Sequence, residues 1–206
     1  MNHPQLDVSY LSLRKSIGWI GIVMPWVVRG VAKLGSGTSL MSISAYYYTS
    51  GRDIFVGSLF AAGLFLSFYR GSLNSKLDRI LAIVWGIAAA FIGLIPMNPC
   101  GDHGLPCVDP NRPTYHFIPV VIFFAINLYM TLFRFTKPSR LPVTPEKLQR
   151  NKVYIAAGIV MLASVLTIAY LDQVGGSIFV PEAIAIAAFG VAWLVKGQMI
   201  LADKDQ

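Results

Sequence analysis

The stretch VYIAAGIVMLASVLTIAYL, residues 153–171, decides the fold class of this chain. It runs for 19 residues without a charged side chain, and about 20 apolar residues are what an α-helix needs to cross a bilayer. A helix of a soluble domain would carry charges at regular spacing along one face, and this stretch has no such face. The stretch therefore predicts a membrane-spanning helix.

Five more apolar stretches of the same kind lie along the chain. Of its 206 residues, 55% are hydrophobic and 13% are charged, and the charges cluster between the stretches. This pattern predicts an all-α polytopic membrane protein, a six-transmembrane-helix bundle that forms a single domain over residues 1–206. The predicted spans are residues 16–34, 54–69, 80–97, 117–135, 153–171 and 178–195.

The starts of two spans allow more specific predictions. In the first span only residues 17–28 are free of charge, and a run of about 12 also fits the core of a signal peptide. Pro25 and Trp26 lie inside this run and no small-residue cleavage site follows it, which favours a span. Before the fifth span, Thr144 followed by Pro145 predicts the start of a helix.

Lys and Arg are distributed unevenly between the two sides of the predicted bundle. Thirteen of the 17 basic residues fall before the first span or after the second, fourth and sixth spans. Short loops rich in Lys and Arg stay in the cytoplasm, so we expect both termini there, in a multi-pass protein of the inner (plasma) membrane. The net charge of +7 arises at these span ends, which indicates membrane lipids as partners and no nucleic acid.

Both cysteines, Cys100 and Cys107, fall in one loop that is predicted to lie outside the cell. The residues between them include the Gly and Pro needed to turn the chain back, and disulfides persist in oxidising compartments, so we expect a disulfide. Two free thiols are one alternative. A zinc site that includes His103 and His116 is another, but the spacing matches none of the usual zinc patterns, and we expect no metal and no cofactor.

Small residues recur at four-residue spacing in several spans, as at Gly86 and Ala90 or at Gly57 and Ala61. Such faces let helices approach closely, and close packing holds helices together in lipid. We expect these faces to pack the bundle internally. A homo-oligomer contact through the Ala-rich sixth span is the alternative.

Residues 38–57 are the strongest candidate for a functional site, because this segment is unusually polar and aromatic. Its consecutive tyrosines suit a membrane interface, and Arg52 with Asp53 directly precedes the second span. Arg29 and Lys33 lie four residues apart on one helical face and would complete an anion or lipid-phosphate site with Arg52. The alternative role for the tyrosines and for Arg52 with Asp53 is anchoring at the membrane interface. For Arg29 and Lys33 it is snorkelling of the long side chains to that interface. The predicted ligand-binding residues are Arg29, Lys33, Ser42, Ser44, Tyr46, Tyr47, Tyr48, Arg52, Asp53, Asp102, His103 and His116.

Several short motifs resemble those of a known group of membrane proteins. The motifs are Ser42-Ile-Ser44-Ala-Tyr46-Tyr47-Tyr48-Thr49, Arg52-Asp53-Ile-Phe55-Val56-Gly57, Tyr69-Arg70-Gly71 and Asp78. In these motifs the chain resembles bacterial six-span proteins of unknown function allied to the Frag, DRAM and Sfk-like group, best over spans two to four. The resemblance implies lipid handling or sensing. That wider group has a remoter similarity to the CREST membrane hydrolases, but this chain lacks their paired His-x-x-x-His, so it departs from the pattern that carries their amidase activity.

These features together predict an outward-facing polar pocket that binds or senses a lipid or other amphiphile. Binding is favoured over catalysis because charged residues are present while no established nucleophile motif or metal set is. A lipid-modifying hydrolase or transferase is the alternative, and a small transporter is a third hypothesis. In the enzyme hypothesis His116 is the general base and Ser44 or Ser42 the nucleophile. Asp53 or Asp102 would orient the histidine.

Overall fold

The computed structural model describes residues 4–71, 75–100, 105, 107, 115–138 and 142–202, with side chains from Tyr10 onward. Within these residues the chain is helical and contains no strand. A 3₁₀ turn, Ser44–Tyr48, lies between the first two helices, and the fourth helix continues into a π-helical turn, Met130–Arg134. The α-helices are α1 (Pro4–Ser36), α2 (Arg52–Ser67), α3 (Lys76–Leu94), α4 (Phe117–Tyr129), α5 (Pro145–Gln173) and α6 (Phe179–Lys196).

Five of the six helical segments are long and apolar enough to cross a membrane, which makes the chain a multi-pass membrane protein. They are Tyr10–Ser36, Lys76–Leu94, Phe117–Arg134, Pro145–Gln173 and Phe179–Lys196. The remaining helix, α2, has 16 residues, and at 1.5 Å per residue it is about 24 Å long. The hydrocarbon core of a bilayer is about 30 Å thick, so α2 is short for a span.

The helices coincide with the six predicted apolar stretches, but two of them begin much earlier than the stretches do. Helix α1 begins at Pro4 rather than at residue 16, and α5 begins at Pro145 rather than at residue 153. The predicted helix start at Thr144 is confirmed, because its Oγ1 accepts a hydrogen bond from the Lys147 amide at 3.2 Å. Hydropathy marks the part of a helix that lies in lipid, and a capped polar turn can continue the helix into water.

The helices pack in a ring that follows the order of the chain. Helix α1 packs against α2 and α6, α3 lies between α2 and α4, and α5 packs against α6. The contact between α4 and α5 runs mainly through the π-helical turn. Because most neighbours in the ring are also neighbours in sequence, short loops suffice to connect them.

Aromatic side chains fill the centre of the ring. Trp85 of α3 lies with its ring centroid 5.7 Å from Trp193 of α6, 6.1 Å from Phe123 of α4 and 5.8 Å from Phe189 of α6. All four side chains are buried, and each tilted or edge-to-face pair contributes about 0.5–1.5 kcal/mol beyond the area it buries. The middle of the bundle is therefore closed.

Glycines allow two pairs of helices to approach backbone to backbone. A Cβ atom on Gly63 of α2 would lie 2.6 Å from the carbonyl oxygen of Gly86 of α3, and one on Gly190 of α6 would lie 2.6 Å from that of Gly18 of α1. The predicted small-residue face at Gly86 thus packs inside the bundle. The predicted face at Gly57 does not, because a Cβ there would meet no atom within 4 Å.

The two ends of the bundle differ in chemistry, and we name them by their contents. The end where α2, α4 and α6 finish is the basic end, and the end with the 3₁₀ turn and the Cys100–Cys107 bond is the disulfide end. At the basic end Arg134 Nε lies 2.5 Å from Asp78 Oδ1, with little solvent exposure on either side chain. Arg14 joins the first and last helices by donating to the Lys196 carbonyl oxygen at 3.2 Å.

Candidate functional site

A serine and a histidine from distant parts of the chain meet at the disulfide end. His116 is the residue before α4 and is 3% exposed. Its Nε2 lies 2.9 Å from Ser44 Oγ, and its Nδ1 lies 2.5 Å from the carbonyl oxygen of Ile95. A carbonyl oxygen can only accept, so Nδ1 carries the proton and Nε2 accepts from the Ser44 hydroxyl. This arrangement pairs a hydroxyl with a neutral imidazole base.

Burial favours the neutral form of this imidazole. His116 lies just before the span that begins at Phe117. Desolvation lowers its pKa below the ordinary 6.5, and the hydrogen bond to the Ile95 carbonyl opposes this shift more weakly. The imidazole is therefore uncharged at neutral pH and can take a proton from a hydroxyl, as a general base must.

Glu182, in the first turn of α6, fixes the segment that presents Ser44. Its Oε2 accepts from the Ile43 amide at 2.5 Å, and its Oε1 accepts from Ser42 Oγ at 3.2 Å. The Ser44 amide in turn donates to Ser42 Oγ at 3.2 Å. The predicted nucleophile Ser42 is thus bonded to a carboxylate, and Ser44 is the serine that faces the histidine.

The three tyrosines hold the 3₁₀ turn in place rather than projecting together into a pocket. Tyr46 is fully buried, and its hydroxyl accepts from the Leu40 amide at 3.0 Å. Tyr48 donates to the Met97 carbonyl oxygen at 2.7 Å, which ties the turn to the segment after α3. Tyr47 receives a hydrogen bond of 2.7 Å from Arg52.

Two of the three predicted cations of the site, Arg29 and Arg52, contact an aromatic ring. The guanidinium carbon of Arg52 lies 4.4 Å from the centre of the Tyr47 ring, and that of Arg29 lies 4.6 Å from the Phe179 ring. In the described part of the chain no ion pair joins Arg52 to Asp53, and both are exposed, as is Lys33. A phosphate site formed by Arg29, Lys33 and Arg52 stays a prediction.

The group that orients His116 differs from the one expected. Asp53 or Asp102 was the expected partner, and the Ile95 main-chain carbonyl holds that position at Nδ1 instead. Asp53 lies exposed in the first turn of α2. Asp102 and His103 lie outside the described residues. The physical reason for the difference is that any carbonyl oxygen can accept a hydrogen bond from an imidazole N–H. A main-chain carbonyl can therefore orient the ring without placing a charge in a buried position.

The two cysteines are bonded to each other, with their Cα atoms 4.4 Å apart, so the predicted disulfide is confirmed. Their thiols are therefore not available to a zinc ion, which removes the zinc alternative in the form that used them. Over the residues that the structure describes, no group of three His, Cys, Asp or Glu side chains comes together as a metal would require.

An apolar groove of about 380 Å³ runs between α3 and α4 and reaches this site. One end is lined by Ile95, whose carbonyl holds His116, and by Tyr115, which directly precedes His116 in the sequence, while Pro119 lies one helical turn after it. The groove is open to the outside of the bundle, because several of its side chains are exposed. Its other lining residues are Val84, Ile87, Ala88, Phe91, Ile118 and Ile122.

Two members of the site were not singled out from the sequence. Glu182 was not among the predicted site residues, although a charged residue inside a membrane-spanning segment is usually paired or functional. The Ile95 carbonyl has no side-chain signal at all.

No protein-family model, curated protein or solved structure matches the chain. Its function has to be inferred from the geometry of the site.

Proposed function

We propose that the protein binds an acyl-chain amphiphile at the disulfide end, with the acyl chain in the groove between α3 and α4. The observation that carries the proposal is that this groove ends at Ile95 and Tyr115, beside the Ser44–His116 pair, in which the histidine is buried and the serine half-buried. Burying a polar side chain away from water is costly unless it has a hydrogen-bond partner, and perturbed titratable groups cluster at functional sites. An amphiphile fits because the groove is apolar along its length and polar groups lie at its end.

We also propose the topology in which this site faces outward. Six spans, including the short α2, place both termini in the cytoplasm of a plasma-membrane protein, as the distribution of Lys and Arg favours. Tilt or local thinning of the bilayer would accommodate α2. The disulfide at the same end supports this orientation, since disulfides form outside the cytosol.

Reporter fusions test the topology. Fusions after Gly71, Pro142 and Gln206 should report the cytoplasm, and fusions after Pro106 and Gly175 should report the exterior. An exterior signal at Pro142 would overturn the topology, because that loop carries the largest share of basic residues.

A groove-filling variant tests the binding proposal. Ile122→Trp adds bulk to the groove on α4, whereas Ile159→Trp adds the same bulk to a lipid-facing position of α5. Native mass spectrometry of protein purified in mild detergent should show a lipid adduct in wild type and in Ile159→Trp, and its loss in Ile122→Trp. Equal adducts in all three proteins would refute an acyl chain in this groove.

The Ser44–His116 pair favours a second candidate, hydrolysis or transfer of an ester-linked acyl group. In that reaction Ser44 Oγ attacks the ester carbonyl while His116 Nε2 takes the hydroxyl proton. His116 then returns the proton to the leaving alcohol, and Ser44 carries the acyl group until water or an acceptor removes it.

A fluorophosphonate probe separates this candidate from binding alone. If Ser44 is a nucleophile, the probe should add covalently at Ser44, and both Ser44→Ala and His116→Gln should abolish labelling while Ser58→Ala leaves it unchanged. Labelling that persists in Ser44→Ala, or no labelling of wild type, would exclude the catalytic role. The lipid adduct in Ser44→Ala should persist in either case.

A further inference from the structure

A second groove, at the basic end, has the charge and position of a lipid head-group site. Its volume is about 480 Å³, and it is lined by Arg70, Ser75, Lys76, Arg79 and Ile80. Three of these five residues are cations, and none of the five carries a carboxylate. The groove lies where α2 ends and α3 begins, at the opposite end of the bundle from His116.

Hydrogen bonds fix one cation of this groove and the backbone of a second, and in the described residues no carboxylate pairs with them. Arg79 NH1 donates to the Ser67 carbonyl oxygen at 2.8 Å, which anchors its guanidinium beside the end of α2. The Arg70 amide donates to the Tyr10 hydroxyl at 3.0 Å, which fixes the backbone there. In the described part of the chain the side chains of Arg70 and Lys76 meet no carboxylate.

Asp78, the acidic residue of α3, already forms an ion pair with another residue. Asp78 is 2% exposed and pairs with Arg134 on the inner side of the helix. Like charges that line one groove repel one another, and an anion that enters the groove relieves this repulsion. Guanidinium and ammonium groups bind phosphate oxygens through charge-assisted hydrogen bonds, so a phosphate group is the anion that fits them best.

An apolar stripe on α3 leads from the groove into the lipid-facing surface. Its side chains recur at three- and four-residue intervals, so they share one face of the helix. The stripe begins with Leu77 and Ile80 and continues into Val84, Ile87 and Phe91, which also line the groove between α3 and α4, and all five side chains are exposed. A ligand with a phosphate and acyl chains would contact the cations and the stripe at once, whereas a soluble phosphate would use the cations alone.

We infer that the groove formed by Arg70, Ser75, Lys76 and Arg79 is a binding site for one anionic phospholipid, with its phosphodiester among the three cations and an acyl chain along α3. Its cations lie at the end of the bundle opposite the amphiphile site, and its acyl chain would follow Leu77 and Ile80, which lie outside the groove between α3 and α4. General attraction between basic loops and anionic lipid would instead be spread over all the cations of this end.

Lipid titration of the full-length protein in detergent tests the inference. Phosphatidylglycerol and phosphatidylcholine are added to the delipidated protein separately, and bound lipids are counted by native mass spectrometry. We expect one phosphatidylglycerol to bind at concentrations where phosphatidylcholine does not. Equal binding of the two lipids would overturn the inference. Displacement of the bound lipid by millimolar inorganic phosphate would also overturn it, because the site would then be one for free phosphate.

Two matched double variants locate the site. Arg70→Gln with Lys76→Gln removes two charges from the groove, and Lys137→Gln with Lys152→Gln removes two exposed charges from the same end outside it. A hydrogen bond to a charged group is worth about ten-fold in affinity, so the first pair should weaken phosphatidylglycerol binding by at least about ten-fold. The second pair should change it by less than about two-fold. Equal losses of phosphatidylglycerol affinity in the two double variants would show diffuse attraction and refute the site. If the first double variant does not purify, Lys76→Gln alone is used in its place.

Discussion

At the scale of single residues, the buried imidazole of His116 makes stability depend on pH. Its pKa is lowered in the folded protein, so below about pH 6.5 the unfolded chain binds a proton that the folded chain resists. Stability is full above that pH and falls as the pH decreases through it, by at most about 1.4 kcal/mol per pH unit. Thermal unfolding in detergent between about pH 8 and pH 5 should show this slope. His116→Gln should remove it, and an unchanged slope in that variant would assign it to other groups.

The Asp78–Arg134 pair gives a second prediction. Both side chains are nearly buried, so Asp78→Ala strands a guanidinium away from water and should cost about 3–5 kcal/mol. The double variant that combines Asp78→Ala with Arg134→Ala should cost less than the sum of the two single changes. Chemical unfolding in detergent measures the differences. Asp172→Ala, at an exposed position of α5, is the control and should cost less than about 0.5 kcal/mol; a comparable cost there would show that Asp78 has no special role.

Part of the candidate site could be predicted from the sequence, and the rest depended on contacts that sequence spacing does not reveal. Ser44 and His116 were both named because interfacial hydroxyl and imidazole groups carry chemistry. The link from Glu182 to Ser42 spans 140 positions, and the orienting group of His116 is a main-chain carbonyl. No local pattern marks either one.

At the scale of the helices, the contact between α2 and α3 depends on Gly86. A Cβ on Gly86 would overlap the Gly63 carbonyl oxygen and the Ser67 hydroxyl oxygen, so Gly86→Ala should force the helices apart and cost about 1–3 kcal/mol. Gly57→Ala, on α2, meets open space and should leave stability unchanged or raise it by up to about 1 kcal/mol through helix propensity. Thermal unfolding of the two variants side by side measures this. Equal stability would show that the helices do not rely on the glycine contact.

The helices could be predicted from the sequence, whereas the residues at which they begin and end could not. Apolar run length reports which residues suit lipid, and it predicted all six helices. Where a helix stops depends on capping and on packing outside the lipid. Helix α1 extends to Pro4 through a charged segment that hydropathy excludes, while Thr144 supplied a capping signal that placed the start of α5 correctly.

At the scale of the whole molecule, the short α2 predicts a preference for thin bilayers. Its length of about 24 Å leaves it about 6 Å short of a typical hydrocarbon core. Each ångström of mismatch costs a fraction of a kcal/mol. Protein reconstituted in bilayers of shorter acyl chains should therefore unfold at higher temperature than protein in longer ones. The opposite order would indicate that α2 does not span the bilayer.

The ring of helices also has a consequence for how the chain is made. Each helix from α2 to α5 packs against the helix that was synthesised just before it, so most contacts are local and form early. The contact of α1 with α6 is the exception, and it closes only when the last helix has emerged. Until then the face of α1 around Gly18, shaped to receive the Gly190 backbone, has no partner within the chain. During synthesis this face of α1 is therefore exposed to other membrane helices until α6 is made. Nascent chains that stall before α6 should be the ones that quality control captures.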